Sequence, residues 1–175
     1  MKTIFFITMF MSVSFSVNAQ WGFTANYLTA TPNLEYDGFS IDGESYSGFG
    51  VGVTYLLDVT GEIQARPELI YINYSTSEFS SSYSTLTLPL PLIYTVTDDL
   101  NIQAGPSLTY ALDEISDNDI DNSSSSIGFV LGAGYSFSEK VYGQIRYIPQ
   151  LTNSVNDPDA SLKINNLVFT VGYNL

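Results

Sequence analysis

The chain has 175 residues, with 18 acidic side chains against 5 basic ones, a formal net charge of −13, and neither Cys nor His. An acidic balance of this size makes nucleic acid and acidic membrane surfaces poor partners. The missing residue types exclude a disulfide framework, His metal sites and the usual Ser–His or Cys–His nucleophile pairs.

The N-terminus reads as a targeting segment. Met1-Lys2 carries the positive charge, and "TIFFITMFMSVSFSV" has the length and apolar character of a signal h-region. Val17 and Ala19 stand as in an A-x-A-like cleavage site, so residues 1–19 are expected to be a signal peptide. The serines at 12, 14 and 16 and the missing stop-transfer flank disfavour a retained anchor. With no Cys at the cleavage point, a lipoprotein anchor is excluded as well. Residues 20–175 are expected to form one exported domain with a sizeable core.

From there the hydropathy alternates with period 2 through eight segments. The first is "WGFTANYLTA" (21–30). The second, "SGFGVGVTYLL" (47–57), sets Phe49, Val51, Val53 and Tyr55 against Gly48, Gly50, Gly52 and Thr54. The third, "GEIQARPELIYI" (61–72), puts Gln64, Arg66 and Glu68 on one face and Ile63, Ala65, Pro67, Leu69 and Tyr71 on the other. The fourth, "TLTLPLPLIYTV" (85–96), alternates leucines with Thr85, Thr87, Pro89 and Pro91, and those prolines predict a bulge or bend. The fifth is "LNIQAGPSLTYAL" (100–112), with Gln103 on its polar face, and the sixth is "IGFVLGAGYSF" (127–137). The seventh, "VYGQIRYIPQ" (141–150), places Gln144 and Arg146 opposite Ile145 and Tyr147, and the eighth is "NNLVFTVGYNL" (165–175).

Connections after the second, fourth and sixth segments are tight, near 58–60, 97–99 and 138–140. Those after the odd-numbered segments are longer and polar, at 31–46, 75–84, 113–126 and 151–163. This alternation describes an eight-stranded antiparallel up-and-down β-barrel, an all-β fold with both chain ends on the short-turn side. Strands near ten residues long suit a tilted crossing of a hydrocarbon core.

The polar face decides which way the barrel faces. It carries mainly Gly, Ser, Thr, Asn and Gln, which solvate an exterior poorly but fill a narrow lumen well. Arg66, Glu68 and Arg146 then point into that lumen with Gln64, Gln103 and Gln144, as a polar network shielded from lipid. Lys140 and Lys163 fall in a turn and a loop. Trp21, Tyr55, Tyr71, Tyr94, Tyr110, Phe137 and Tyr173 lie toward strand ends on the apolar face, as interfacial girdles do. A soluble lipocalin-like barrel with an apolar ligand cavity is the alternative fold.

The segments "ARPELIYINY", "LTLPLPLIYTVTDDLNIQAGPSLTYAL" and "GFVLGAGYSFSEKVYGQIRYIPQLTN" resemble the outer-membrane protein β-barrel domain family, including PorT-like and small OmpA- or OmpX-like barrels. The resemblance implies an outer-membrane location, contact with membrane lipid and lipopolysaccharide, and insertion by the barrel-assembly machinery. Some members serve secretion or gliding assemblies, so a surface or secretion-system partner is also implied. The final "VFTVGYNL" resembles the assembly signal in its alternation and terminal Leu, though Gly172 departs from the usual place of glycine. Small-barrel enzymes of similar architecture generally need a His, so no catalysis is expected here.

One loop invites a metal reading. "DEISDNDIDNSSSS" holds Asp113, Asp117, Asp119 and Asp121, and its D-x-D-x-D spacing is similar to an EF-hand loop. Asn122 stands where the turn Gly belongs and Gly128 where the bidentate Glu belongs, so at most loosely bound Ca²⁺ or Mg²⁺ is expected and no firm metal site. The function expected is structural or interactive, through acidic extracellular loops. A narrow channel or small-ligand barrel is the alternative.

Overall fold

The computed structural model describes residues 20–36, 39–43, 45–75, 82–112, 125–153 and 160–175. The expected signal peptide, and the aspartates at 113, 117, 119 and 121, lie outside the described residues.

Eleven strands build one antiparallel sheet: β1 (Gln20–Tyr36), β2 (Phe39–Asp42), β3 (Tyr46–Asp58), β4 (Ile63–Ala65), β5 (Glu68–Ser75), β6 (Ser82–Pro89), β7 (Leu92–Thr95), β8 (Leu100–Ala111), β9 (Ser125–Ser136), β10 (Val141–Ile148) and β11 (Ala160–Asn174). They make eight staves, because β2 continues into β3 along one side of β1, and β4 with β5 and β6 with β7 are each one strand with a break. The sheet closes where β1 pairs with β11 on one side and β3 on the other. Closure leaves no unpaired edge, which backbone in hydrocarbon could not tolerate. The eight-stranded up-and-down barrel expected from the periodicity is the fold observed.

The two breaks lie side by side and have one cause. Pro67 and Pro91 supply no ladder donor, so each stave bends there. The bend is stitched by Arg66 N–H donating to Pro91 O at 3.0 Å and Tyr55 N–H donating to Pro67 O at 3.1 Å. On the next stave Gly105 faces the carbonyl of Leu90 so closely that a Cβ would overlap it, which is why a residue without one stands there.

Two elements run further than their hydropathy suggests. Alternation of apolar with polar residues fades at residue 30, but β1 continues to Tyr36 and forms a hairpin with β2 through Asn33↔Asp42 to Tyr36↔Phe39. Correspondingly β11 begins at Ala160, which places Lys163 on a strand, opposite Asn33, and not in a loop. These ends stand beyond the apolar band, where Thr, Asn and Lys continue the ladder through backbone pairing.

The three short turns are copies of one another. In "VTGEI" (59–63), "VTDDL" (96–100) and "FSEKV" (137–141) the hydroxyl of Thr60, Thr97 or Ser138 accepts the N–H three residues on, at 3.1 Å in each case. The apolar residue before each hydroxyl donates its N–H to the carbonyl of the closing residue at 2.9 Å. The hydroxyl satisfies a donor the tight reversal would leave unpaired.

Candidate functional site

The inward faces divide the lumen into two layers. Toward the long loops lies an apolar plug of Leu28, Ala30, Ile70, Ile72, Tyr74, Val130, Ile148 and Val168, with Tyr46, Tyr83 and Ile164 packed against it. Three tyrosines bind its rim. Tyr83 stacks on Tyr74 with ring centroids 4.7 Å apart, and its hydroxyl donates to that of Tyr46 at 2.6 Å. Tyr74 reaches Asn166 on β11 at 3.3 Å.

Beneath the plug, toward the short turns, is a charged layer. Arg146 on β10 crosses the lumen to Glu68 on β5 and grips it with both arms, Nη1 to Oε2 at 2.9 Å and Nη2 to Oε1 at 2.7 Å. Neither side chain is accessible to solvent. Arg146 Nη2 also donates to Gln144 Oε1, which fixes the orientation of that amide. Arg66 sits two residues from Glu68 on the same inward face, with its guanidinium 4.2 Å above the ring of Tyr142. Thr170 and Asn26 bridge β11 and β1 nearby at 2.6 Å.

Glycines make room for these bulky groups. The stem of Arg146 crosses the backbone at Gly132, and the Tyr142 ring lies on Gly172 so closely that a Cβ there would fall within it. Several of the large inward residues are matched in this way by a missing side chain on the neighbouring strand, as suits a narrow barrel.

Of the six residues expected in the lumen network, Arg66, Glu68, Gln103, Gln144 and Arg146 are buried. Gln64 stands apart. It is half-buried at the turn end of β4, ahead of the break at Pro67, and donates to Asp58 Oδ1 at 2.7 Å. Tyr142 joins the layer although its sequence position did not single it out. The signal was available, since it shares parity with Gln144 and Arg146 and faces Gly172.

The outer wall is apolar. Phe23, Val51, Val53, Leu92, Ile102, Leu131, Ile145 and Val171 are all exposed. Two belts of aromatics bound this band. Trp21, Tyr55, Tyr94, Tyr135, Phe137 and Tyr173 lie near the short turns, with Trp21 and Tyr55 in contact at 4.9 Å. Tyr27, Phe49, Tyr71, Tyr110, Tyr147 and Phe169 lie nearer the loops, with Tyr27 and Phe49 at 5.2 Å. An interior holding a buried charged layer, inside an apolar, aromatic-belted wall, is the inverse of a soluble barrel. This is an integral membrane β-barrel.

The chain belongs to the outer membrane protein beta-barrel domain family, whose profile matches residues 5–174. It is located in the bacterial outer membrane, within the lipid bilayer. Among solved structures it resembles Neisserial surface protein A, at 17% identity and a TM-score of 0.52, covering 86% of this chain and 96% of that one. It also resembles Ail, the attachment invasion locus protein of Yersinia pestis, at 10% identity and a TM-score of 0.50, covering 88% of this chain and 98% of that one. At these identities the likeness is one of fold. No curated protein matches the chain in sequence.

Proposed function

We propose that this protein is a closed, non-catalytic outer-membrane barrel that acts through the surface its loops present. One observation carries the reading: the buried Arg146–Glu68 pair spans the lumen on the turn side, and the apolar plug packs across it on the loop side. An interior of this kind leaves no aqueous path through the barrel, so neither a channel nor a cavity for an organic ligand is favoured.

What remains exposed to partners is acidic. Twelve of the eighteen acidic residues fall in the four long connections: Glu35, Asp37, Asp42 and Glu44; Glu78; Asp113, Glu114, Asp117, Asp119 and Asp121; Asp157 and Asp159. Loosely held Ca²⁺ or Mg²⁺ would bridge these loops to anionic lipopolysaccharide, or to a surface or secretion-system protein. The barrel-assembly machinery is the partner during insertion. Ail has been crystallised with the heparin analogue sucrose octasulfate, but loops as acidic as these repel a polysulfate, so that ligand does not transfer. With no His and no Cys, the usual Ser–His and Cys–His nucleophile pairs are missing too.

Planar-bilayer recording of the refolded protein tests the reading. Silent membranes are expected, whereas steady unitary openings would replace it with the narrow-channel alternative.

A further inference from the structure

The charged layer does not balance. Among the described residues the inward-facing charges are two guanidiniums, Arg66 and Arg146, and one carboxylate, Glu68. Both oxygens of Glu68 are taken by Arg146. Arg66 is 5% exposed, and its Nε and Nη1 have no hydrogen-bond partner in the protein. The Tyr142 ring covers one face of the guanidinium at 4.2 Å and leaves its donor-bearing edge unanswered.

A guanidinium cannot escape burial by losing its proton. An uncompensated ion in a protein interior is strongly unfavourable, and each buried N–H without an acceptor adds to that. The neighbouring donors are unanswered as well. Gln144 has its carbonyl committed to Arg146, so its Nε2 must donate elsewhere, yet it is buried without an acceptor, as is Arg146 Nε. Buried neutral acceptors such as Gln103 Oε1 also lack partners, but they carry no charge, so the layer stays positive by one.

We propose that the turn-side half of the lumen binds one small anion of the halide class at the Nε–Nη1 edge of Arg66. Small size follows from the lumen, which side chains already fill. A single negative charge matches the single unpaired guanidinium. Because the plug closes the loop side, the anion enters from the side of the short turns and the chain ends. It is a bound counter-ion that completes the Arg66–Tyr142 and Arg146–Glu68 layer.

The test compares the detergent-folded protein in sodium chloride and in sodium gluconate at equal ionic strength. Chloride is expected to raise the unfolding midpoint by a few degrees with saturation, because a ligand bound only to the folded state stabilises it. In Arg66→Gln the two salts are expected to give the same midpoint. Should that variant fail to fold, bromide-soaked crystals of the unaltered protein give the second reading, with an anomalous peak in hydrogen-bond reach of Arg66 Nε. Identical midpoints for the unaltered protein in the two salts, or bromide-soaked crystals with no peak at Arg66, would overturn the proposal.

Discussion

The ring of Tyr142 occupies the space that a side chain at position 172 would fill: a Cβ built on Gly172 falls inside van der Waals contact with the ring carbons and the hydroxyl. The two residues face each other on β10 and β11. Arg66 stacks on the same ring, its guanidinium 4.2 Å from the centroid, so the smallest residue of β11 makes room for the aromatic plate that carries the lumen cation.

Gly172→Val should therefore cost about 1–3 kcal/mol, the usual penalty for overpacking. The measurement is urea unfolding in detergent, followed by the shift in gel mobility between boiled and unboiled samples. Adding Tyr142→Ala should recover part of the loss, and a double-mutant cycle would measure the coupling. Purely additive losses would separate the two residues.

Breaking the Arg146–Glu68 pair from one side should be worse than removing both. Glu68→Met alone leaves the Arg146 charge buried and unmatched alongside that of Arg66, and should cost about 3–5 kcal/mol. Glu68→Met with Arg146→Met should unfold at higher urea than Glu68→Met. If the double variant is the less stable of the two, the pair contributes more than its mutual cancellation.

Val51 is 65% exposed and lies midway along the outer face of β3. Val51→Arg should hinder folding into lipid vesicles by about 2–4 kcal/mol, as for a cation near the bilayer midplane. A soluble barrel with this wall in water would tolerate the change, so the substitution discriminates between the two environments.

Much of this architecture was legible in the sequence because a membrane barrel repeats one simple constraint. Every residue faces lipid or lumen, and the alternation of Val51 and Val53 with Gly50 and Gly52 states it directly. Arg66, Glu68 and Arg146 could be placed inside because an Arg in lipid is too costly. What parity could not give was the consequence of the prolines. The break at Arg66–Pro67 takes Gln64 out of the network and turns it to Asp58, although it shares its face with Glu68. Nor could alternation show where strands end above the membrane, since Asn33 and Lys163 pair through backbone groups that carry no hydropathy signal. The division of the lumen into charged layer and plug depends on which strands meet at which height, a matter of register.

The repeated turn hydroxyls carry their own expectation. Thr97→Ala should cost about 0.5–1.5 kcal/mol, the net worth of one hydrogen bond. Because the three turns are separate, losses in Thr60→Ala, Thr97→Ala and Ser138→Ala should sum. Chemical denaturation of the single variants and the triple variant checks this. A triple variant no weaker than one single variant would show that the hydroxyls are not needed to close the turns.

Replacing Asp113, Asp117, Asp119 and Asp121 with Asn should leave barrel stability unchanged, since the barrel wall and lumen are complete without them. It should lower Mg²⁺-dependent retention on vesicles containing lipopolysaccharide severalfold at physiological ionic strength. Retention that stays the same, with or without the cation, would move the contact to other loops.

The pairing of β1 with β11 runs through fifteen residues, from Gly22↔Asn174 to Tyr36↔Ala160, and it has a consequence in time. The first described strand to emerge from synthesis waits for the last before either has its full set of neighbours. Until then the growing sheet carries two raw margins of unpaired N–H and C=O groups that cannot be left in lipid. Shortening the chain by its final strand should thus abolish assembly altogether and not merely weaken it. Insertion must be an all-at-once event, or one chaperoned by a protein able to lend a temporary strand to each open margin.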